Sequence, residues 1–285
     1  MSDIDYTQTN DRFFDYCLWE YKPVVPFQNK YRSINILTHS FLNYDASKAC
    51  NIVKTIQSGI GAHETVWGIK NDNGNISWEF YFYDYERRHR KKSISKVLDT
   101  LSTALPCDIE ADENIHYFMF SFEINKQLLN DENSLDELDM YIGNVGSTVS
   151  SGICYSVKKD SSTMKNFYFF FDAKEQQEDI VAKICCSAYL DTSKININEV
   201  LWPELKECKA ICLANKRNHD CIYFSGINID QLLVFMKRLS YPQDLIAYIE
   251  DNYSMLDHLQ YDVGFDYRME NDKLVILKSG YYGIF

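Results

Sequence analysis

The chain has 285 residues and a formal net charge of −12, because 41 Asp and Glu outnumber 29 Lys and Arg. A charge of this sign argues against general binding to nucleic acid or to anionic membranes. No apolar run approaches the roughly 20 residues that span a bilayer, and the acidic start MSDID lacks an apolar signal region. The sequence therefore predicts a soluble, cytoplasmic protein with no nucleic-acid or membrane partner.

The composition favours one domain with an aromatic interior. Only 5 Pro and 11 Gly occur, and no linker rich in Pro, Gly or Ser interrupts the sequence, so we expect residues 1–285 to form a single domain. The 9 cysteines are odd in number and include no CxxC pair, which is typical of free thiols in a reducing cytoplasm. The aromatic fraction of 15% is high and suits a cavity with apolar walls and polar tyrosine hydroxyls.

Residues 1–62 form an N-terminal segment with a predicted strand at 33–38 and a predicted helix at 45–57. Residues 63–285 then repeat one unit five times: two short aromatic strands joined by a polar turn, followed by a helix. The predicted hairpins span residues 64–85, 107–124, 151–172, 208–227 and 261–285. The predicted helices after them span residues 93–105, 134–142, 178–189, 230–239 and 243–259.

Five hairpins provide ten antiparallel strands, which are enough to close a wide barrel with a usable interior. In residues 78–83 (WEFYFY), alternation places one Trp and two Phe on one face, and Glu79, Tyr81 and Tyr83 on the other. We expect the apolar face to meet the helices and the polar face to line the lumen. The predicted fold class is therefore α+β: a ten-stranded antiparallel barrel of five αββα-like repeats, wrapped by helices.

Charged residues in the hairpins suggest a binding site in the lumen. Glu64 lies where the first strand is predicted to begin, and a carboxylate at the rim of an aromatic cavity suits a general base. A solvated carboxylate at a strand end is the alternative. Five cations come from different hairpins and would bind a diphosphate if they converged, or else lie in surface turns. These cations are Lys70, Lys165, Lys216, Arg268 and Lys278.

A set of strand tyrosines is expected to include the walls of the lumen. Their rings would shield a carbocation by cation–π attraction, and packing in the core is the alternative role. The set comprises Tyr81, Tyr83, Tyr117, Tyr155, Tyr168, Tyr223 and Tyr281. Dinucleotide-binding, P-loop, zinc-protease and serine-hydrolase signatures are absent, as is a DDxxD sequence. We therefore expect no tightly bound cofactor or metal.

Three stretches of the sequence resemble the aromatic prenyltransferases that have the PT-barrel (ABBA) fold. Residues 65–82 look like the first hairpin of the bacterial soluble members of that family. Residues 200–226 and 264–282 are similar to the compact cyanobactin-type peptide prenyltransferases. In the family, five repeated units form a ten-stranded antiparallel barrel whose lumen is the reaction chamber, and the resemblance covers roughly residues 60–285.

The resemblance implies transfer of a dimethylallyl or longer prenyl group from its diphosphate to an aromatic small molecule or a peptide side chain. Such an enzyme would serve natural-product or RiPP biosynthesis, and Mg²⁺ could enter with the donor. By position, Glu64 resembles the acidic residue that positions or deprotonates the acceptor. Lys70, Lys165, Arg268 and Lys278 fall in strands that supply the family's diphosphate-binding cations.

The third hairpin departs from the family pattern. Residues 166–171 read NFYFFF, where the family carries several Lys and Arg. Two alternatives therefore stand beside a prenyltransferase. One is a non-catalytic barrel that binds a small aromatic or peptide ligand, and the other is a scaffold protein whose barrel is filled by its own side chains.

Overall fold

The computed structural model describes residues 4–11, 21–23, 25–61, 65–83, 92–110, 112–130, 132–144 and 150–284. Its strands are β1 Val66–Asp72, β2 Asn75–Tyr83, β3 Tyr117–Ile124, β4 Leu138–Gly143, β5 Ser151–Lys158, β6 Ser161–Asp172, β7 Ala210–Lys216, β8 Asp220–Ile227, β9 Tyr261–Glu270 and β10 Lys273–Ile284. Each strand pairs antiparallel with its neighbours in sequence, and β1 pairs with β10, so the sheet closes into a barrel. The predicted fold class is confirmed.

Helices surround this barrel. They are α1 Ile34–Ser40, α2 Ala46–Ile60, α3 Ile94–Leu101, α4 Lys126–Leu129, α5 Gln177–Cys185, α6 Ile229–Arg238, α7 Gln243–Asp251 and α8 Tyr253–Leu256. Two short 3₁₀ segments, Ile197–Glu199 and Pro203–Leu205, precede β7. Within the described ranges, no helix is both long and apolar enough to cross a membrane.

Two of the hairpins turn through consecutive residues in the left-handed region. Between β1 and β2, Asn73 and Gly74 have φ of 50° and 90°. Between β9 and β10, Asn271 and Asp272 have φ of 50° and 63°. Two such residues in succession define a type I′ turn, whose twist matches that of the flanking strands. The turn residues therefore fix the register of both hairpins locally.

The second hairpin differs from its predicted bounds. Residues 107–124 contain one long strand, β3, and its partner β4 lies beyond α4. Cys107 forms only an isolated bridge to Leu135. The prediction that residues 107–124 hold both strands is therefore wrong.

The helix predicted at 134–142 is wrong, because β4 occupies Leu138–Gly143. The spacing of Leu135, Leu138 and Tyr141 fits a helix, but the pairing of β4 with β3 and β5 imposes a period of two. Leu138 is accordingly buried on the outer face, whereas Asp139 and Tyr141 line the lumen.

The strand predicted at 33–38 is also wrong, because α1 occupies this segment. The β-branched Ile34 and Ile36 favour a strand locally, but both are buried together with Leu37 in the helical layer. Contacts of α1 with α7 and β1 therefore outweigh the local propensity. The helix predicted at 45–57 is confirmed as α2, which Asp45 caps by accepting a hydrogen bond from the Lys48 N–H.

The five repeats do not carry equal helices. Among the described residues, no helix lies between β4 and β5, whereas α3, α5 and α6 follow β2, β6 and β8. The helix predicted at 243–259 is divided at Asn252 into α7 and α8. The αββα-like repeat is therefore kept in the strands more strictly than in the helices.

The outer face of the barrel packs against the helices, as predicted. Trp78 of β2 donates its indole N–H to the Ser40 hydroxyl at 2.8 Å, and its ring packs edge-on against Phe41. Phe265 of β9 stacks on Trp202 with ring centroids 4.8 Å apart. The hydrophobic core thus lies between barrel and helices, which leaves the inward residues for the lumen.

Loss of the cap on α3 provides a test of this helical layer. The Ser93 hydroxyl accepts a hydrogen bond from the Lys96 N–H at 3.1 Å. Because an unsatisfied helix N-terminus is destabilising, Ser93→Ala should lower the free energy of unfolding by about 1 kcal/mol. Urea denaturation measures the change, and Thr103→Ala, an exposed change just beyond α3, serves as the control. Equal stabilities of the two variants would contradict this role of Ser93.

Candidate functional site

Two of the cavities that the described residues border lie in series along the lumen. One has a volume of about 110 Å³ and apolar, mostly aromatic walls; we name it the aromatic chamber. The other has a volume of about 190 Å³ and lies towards the hairpin turns; we name it the charged chamber. Because both spaces are open, the barrel is not filled by its own side chains.

Five tyrosines separate the chambers and line both of them. These residues, which we name the tyrosine ring, are Tyr81, Tyr141, Tyr168, Tyr223 and Tyr282. Neighbouring aromatic centroids lie 5.6–6.4 Å apart around a closed circuit, so the centre of a regular ring of this size lies about 5 Å from each centroid. The ring therefore forms a narrow aromatic passage between the chambers.

The ring follows from the repeat of the sequence. Its members lie on β2, β4, β6, β8 and β10, the second strand of each hairpin, at inward-facing positions. Three of the tyrosines face a glycine across the strand pair: Tyr168 faces Gly152, Tyr223 faces Gly264 and Tyr282 faces Gly68. A Cβ atom added to Gly68 would lie 2.5 Å from the Tyr282 ring, so the glycine makes room for the tyrosine.

The ring tyrosines are neutral phenols. Burial raises the pKa of each ring hydroxyl well above its ordinary value. The Tyr81 hydroxyl donates to Glu79 Oε2 at 2.8 Å, whereas the Tyr168 hydroxyl accepts from the Asn166 amide at 3.0 Å. The ring therefore offers π-systems and hydroxyl groups, and no net charge.

The structure places four of the seven predicted lumen tyrosines correctly and three elsewhere. Tyr155 of β5 is partly buried against the hydrophobic core and lines neither chamber. Tyr81, Tyr83, Tyr168 and Tyr223 line the aromatic chamber. Tyr117 is fully buried outside the lumen, where its hydroxyl accepts from the Ile94 N–H and donates to Glu113, so its predicted role is wrong. An irregularity in the β3–β4 pairing, between Tyr117 and Met119, turns its side chain outward.

Tyr281 is likewise not in the lumen. It is fully buried between Trp67 and Tyr241 on the outer face, and its neighbour Tyr282 belongs to the ring. Lys278 and Tyr281 are three residues apart on one strand, so they cannot share a face. Counting by twos from Lys278 would have found Tyr282, whereas Tyr141 was hidden by the helix predicted over β4.

Asp266 on β9 is the centre of the charged chamber. It is 3% exposed, and it contacts Lys216 Nζ at 2.7 Å, His219 Nε2 at 2.9 Å and Lys278 Nζ at 3.7 Å. Burial alone would raise the pKa of Asp266, but the surrounding Lys216, His219 and Lys278 outweigh it and hold the pKa well below its ordinary range. His219, which lies in the turn between β7 and β8, was not identified from the sequence.

Two further acid–base clusters complete the charged chamber. Lys70 Nζ donates to Glu79 Oε1 at 3.1 Å and to Glu123 Oε2 at 2.6 Å. Burial lowers the pKa of Lys70, but the two carboxylates outweigh it, so the net shift is upward and the ammonium stays charged. Lys165 Nζ contacts Asp139 at 2.8 Å and Glu137 at 3.2 Å.

Among the lysines that line this chamber, Lys278 has the weakest compensation by carboxylates. Its nearest carboxylate oxygen, on Asp266, lies 3.7 Å away, and its side chain is 39% exposed. Lys70, burial and Lys216 lower its pKa below the ordinary value. An anion that entered the chamber would relieve this repulsion, so Lys278 is suited to contact a bound anion.

Two of the predicted site residues do not join this cluster. Arg268 is half-exposed near the end of β9 and donates to Glu270 at 2.8 Å from Nε, away from both chambers, so its predicted place in the lumen is wrong. The barrel wall extends past the chamber at this point, and alternation alone does not show where the chamber ends. Glu64 lies outside the described residues.

The described cysteines form no disulfide bonds, and Cys154, Cys212 and Cys221 lie on inward-facing positions of β5, β7 and β8. No cluster of three or more His, Cys, Asp or Glu side chains suited to a metal ion occurs among the described residues. The chain matches no protein-family model and shows no significant similarity to curated proteins. The geometry of the lumen therefore carries the argument about function.

Proposed function

We propose that this chain is a prenyltransferase that moves a dimethylallyl or longer prenyl group from its diphosphate to an aromatic small molecule or a peptide side chain. The observation that carries the proposal is the order of three zones along one lumen. A lysine-containing chamber, a ring of five tyrosines and an aromatic chamber follow one another. This order matches the diphosphate, the allyl cation and the acceptor of such a reaction.

The charged chamber suits the leaving diphosphate. Lys70, Lys216 and Lys278 come from three different strands and border one cavity with Lys165. Charge-assisted hydrogen bonds from these ammonium groups would stabilise the charge that develops on the diphosphate as the donor ionises.

The tyrosine ring suits the carbocation. Cation–π attraction acts over about 6 Å from an aromatic centroid, and the centre of the ring lies within that distance of all five tyrosines. A neutral, aromatic passage also keeps water from the cation until the acceptor attacks. The acceptor would then occupy the aromatic chamber, between Phe118, Met119 and Phe170.

The second candidate is a non-catalytic barrel that binds a small aromatic or peptide ligand. This candidate is favoured because carboxylates already neutralise the charge of three lysines. Lys70, Lys165 and Lys216 each contact a carboxylate within 3.2 Å. A diphosphate would have to compete with these carboxylates. Mg²⁺ carried by the diphosphate, with one or two carboxylates as ligands, would reduce this competition.

Titration calorimetry with dimethylallyl thiolodiphosphate, with and without Mg²⁺, separates these candidates. The prenyltransferase proposal predicts binding in at least one of the two conditions, followed by product formation when dimethylallyl diphosphate is offered with indoles, aromatic acids and cyclic peptides. Mass spectrometry would detect the prenylated acceptor. Binding of an aromatic or peptide acceptor with no binding of the thiolodiphosphate would support the second candidate. The cytoplasmic location and the place in natural-product or RiPP biosynthesis stay predictions.

Lys278 provides the sharpest test of diphosphate binding. Because it is the least compensated ammonium in the chamber, Lys278→Ala should weaken binding of the thiolodiphosphate at least about tenfold. Arg268→Ala is the matched control, since it removes a cation from the same hairpin but outside the chamber, and its affinity should equal that of the wild type. Equal affinities of all three proteins would place the diphosphate elsewhere.

A further inference from the structure

Glu79 occupies the boundary between the charged chamber and the tyrosine ring. It lies on the inward face of β2 and is 7% exposed. Its Oε1 atom accepts a hydrogen bond from Lys70 at 3.1 Å, and its Oε2 atom accepts one from the Tyr81 hydroxyl at 2.8 Å. A continuous chain of hydrogen bonds thus runs from Lys70 through Glu79 to a member of the ring.

We propose that Glu79 and Tyr81 form the proton path of the transfer reaction, in which the acceptor proton passes to Tyr81 as the Tyr81 proton passes to Glu79. This inference rests on the proposed function, and it names two catalytic residues of that same site. It assigns the last step of the reaction to described residues, whatever the role of Glu64.

The proposed step balances without an oxidant or reductant. The bond between donor C1 and the diphosphate oxygen breaks with both electrons on the diphosphate, and an electron pair of the acceptor forms the new bond to C1. The acceptor then carries one proton too many. This proton moves to the Tyr81 oxygen, the Tyr81 O–H proton moves to Glu79 Oε2, and both residues end neutral. Glu79 faces the charged chamber, so the diphosphate product can carry the proton away.

The neighbouring groups explain why both residues are needed. Burial raises the pKa of Tyr81 well above its ordinary value, so its phenolate is not available as a base and the hydroxyl must pass its proton on. Lys70 stays an ammonium and has no lone pair to accept a proton. Its charge instead stabilises the Glu79 carboxylate before the transfer.

Tyr168 and Tyr141, two other members of the ring, have different hydrogen-bond partners. The Tyr168 hydroxyl accepts from the amide of Asn166, and an amide is too weak a base to take up a proton. The Tyr141 hydroxyl lies 3.4 Å from the Ser121 hydroxyl, which is also a weak base. A Tyr→Phe change at Tyr141 or Tyr168 removes a hydroxyl from the same passage as Tyr81→Phe does. These two changes therefore serve as controls for Tyr81→Phe.

Glu79→Gln, Tyr81→Phe and the double variant test the path. Dimethylallyl diphosphate is the donor, and indole and a tyrosine-containing cyclic hexapeptide are the acceptors. Two rates are measured for each protein: formation of the prenylated product, and ionisation of the donor, followed by exchange of an ¹⁸O label out of its bridging position. Tyr281→Phe, a hydroxyl removed from the outer face of the barrel, is the control for folding and turnover.

Each single variant should slow product formation about a hundredfold or more, the size expected for loss of general base catalysis, while ionisation continues. The double variant should be no slower than the single variants, because the two residues act as one path. Tyr168→Phe should lose less than tenfold. A deuterium isotope effect at the substituted indole carbon should appear in both single variants, because proton removal becomes rate-limiting.

Four results would overturn the inference, and they differ in whether the proposed function survives them. Product formation by Glu79→Gln at the wild-type rate, or additive losses in the double variant, would remove the path and leave the proposed function intact. Loss of ionisation together with product in both single variants would assign them to donor binding instead. No product and no ionisation by the wild-type protein would remove the proposed function and, with it, the path.

Discussion

Replacing Asp266 with Asn should lower the free energy of unfolding by about 3 kcal/mol, the range measured when one partner of a buried ion pair is removed. The side chain is 3% exposed and contacts Lys216, His219 and Lys278. Without the carboxylate, the two ammonium groups repel each other inside a closed lumen. The fold therefore depends on this residue more than on any surface ion pair.

The same variant should change the dependence of stability on pH. The pKa of Asp266 in the folded chain lies below its ordinary value near 4, so the stabilising contribution is fully present above about pH 4. It is lost as the pH falls further towards the lowered pKa. Between pH 6 and pH 3, Asp266→Asn should therefore lose less stability than the wild type.

Chemical denaturation at several pH values measures both effects. Asp272→Asn is the matched control, because Asp272 pairs with Lys194 at 2.8 Å but is 73% exposed, and exposed pairs contribute at most about 1 kcal/mol. A loss of the same size in both variants would show that burial of Asp266 does not strengthen its contacts. Identical pH profiles of wild type and Asp266→Asn would contradict the lowered pKa.

Replacing Gly264 with Ala should disrupt the tyrosine ring. A Cβ atom at this position would lie 2.8 Å from Tyr223 Cε1 and 2.9 Å from the Ile222 carbonyl oxygen. Overpacking of this kind costs about 1–3 kcal/mol, and the Tyr223 side chain must move out of the ring or the strand must shift. Because small displacements at a reacting centre can cost about a hundredfold in rate, prenyl transfer should fall by a comparable factor.

Gly152→Ala is the matched control for this change. Gly152 also faces a ring tyrosine, Tyr168, but an added Cβ atom would lie 3.3 Å from the Ile142 carbonyl oxygen and 3.7 Å from Phe170. Its loss of stability and of turnover should be distinctly smaller. Chemical denaturation and turnover of dimethylallyl diphosphate are the measurements. Equal losses of stability and turnover in both variants would contradict the conclusion that Gly264 makes room for the Tyr223 ring.

The fold could be predicted from the sequence where the turn residues and the alternation of the strands indicate the same hairpin that the barrel contains. The turns at Asn73–Gly74 and Asn271–Asp272 require left-handed residues, and the strands beside them alternate strictly. The second hairpin could not be predicted in the same way. Its strands are separated by α4, and the spacing of Leu135, Leu138 and Tyr141 also fits a helix, so only pairing with β3 and β5 distinguishes the two.

The candidate site could be predicted only in part, because bulges change the face that a residue presents. Counting by twos fails at Tyr117 and between Ile276 and Lys278, where the pairing is irregular. The sequence also does not show which lysines are already paired with carboxylates, since Lys216 and Asp266 are 50 residues apart. The pairing of lysines with carboxylates depends on closure of the barrel, so it cannot be read from a single hairpin.

The contact between Tyr81 and Tyr282 links the folding of the barrel to the completion of the tyrosine ring. These neighbours in the ring come from β2 and β10, which lie on either side of β1, so the passage is complete only when β1 pairs with β10. Pairings between distant parts of a chain form late and slowly in folding. A partly folded chain therefore has no closed passage, and the passage that the proposed reaction requires arises in the same step that removes the last free sheet edge.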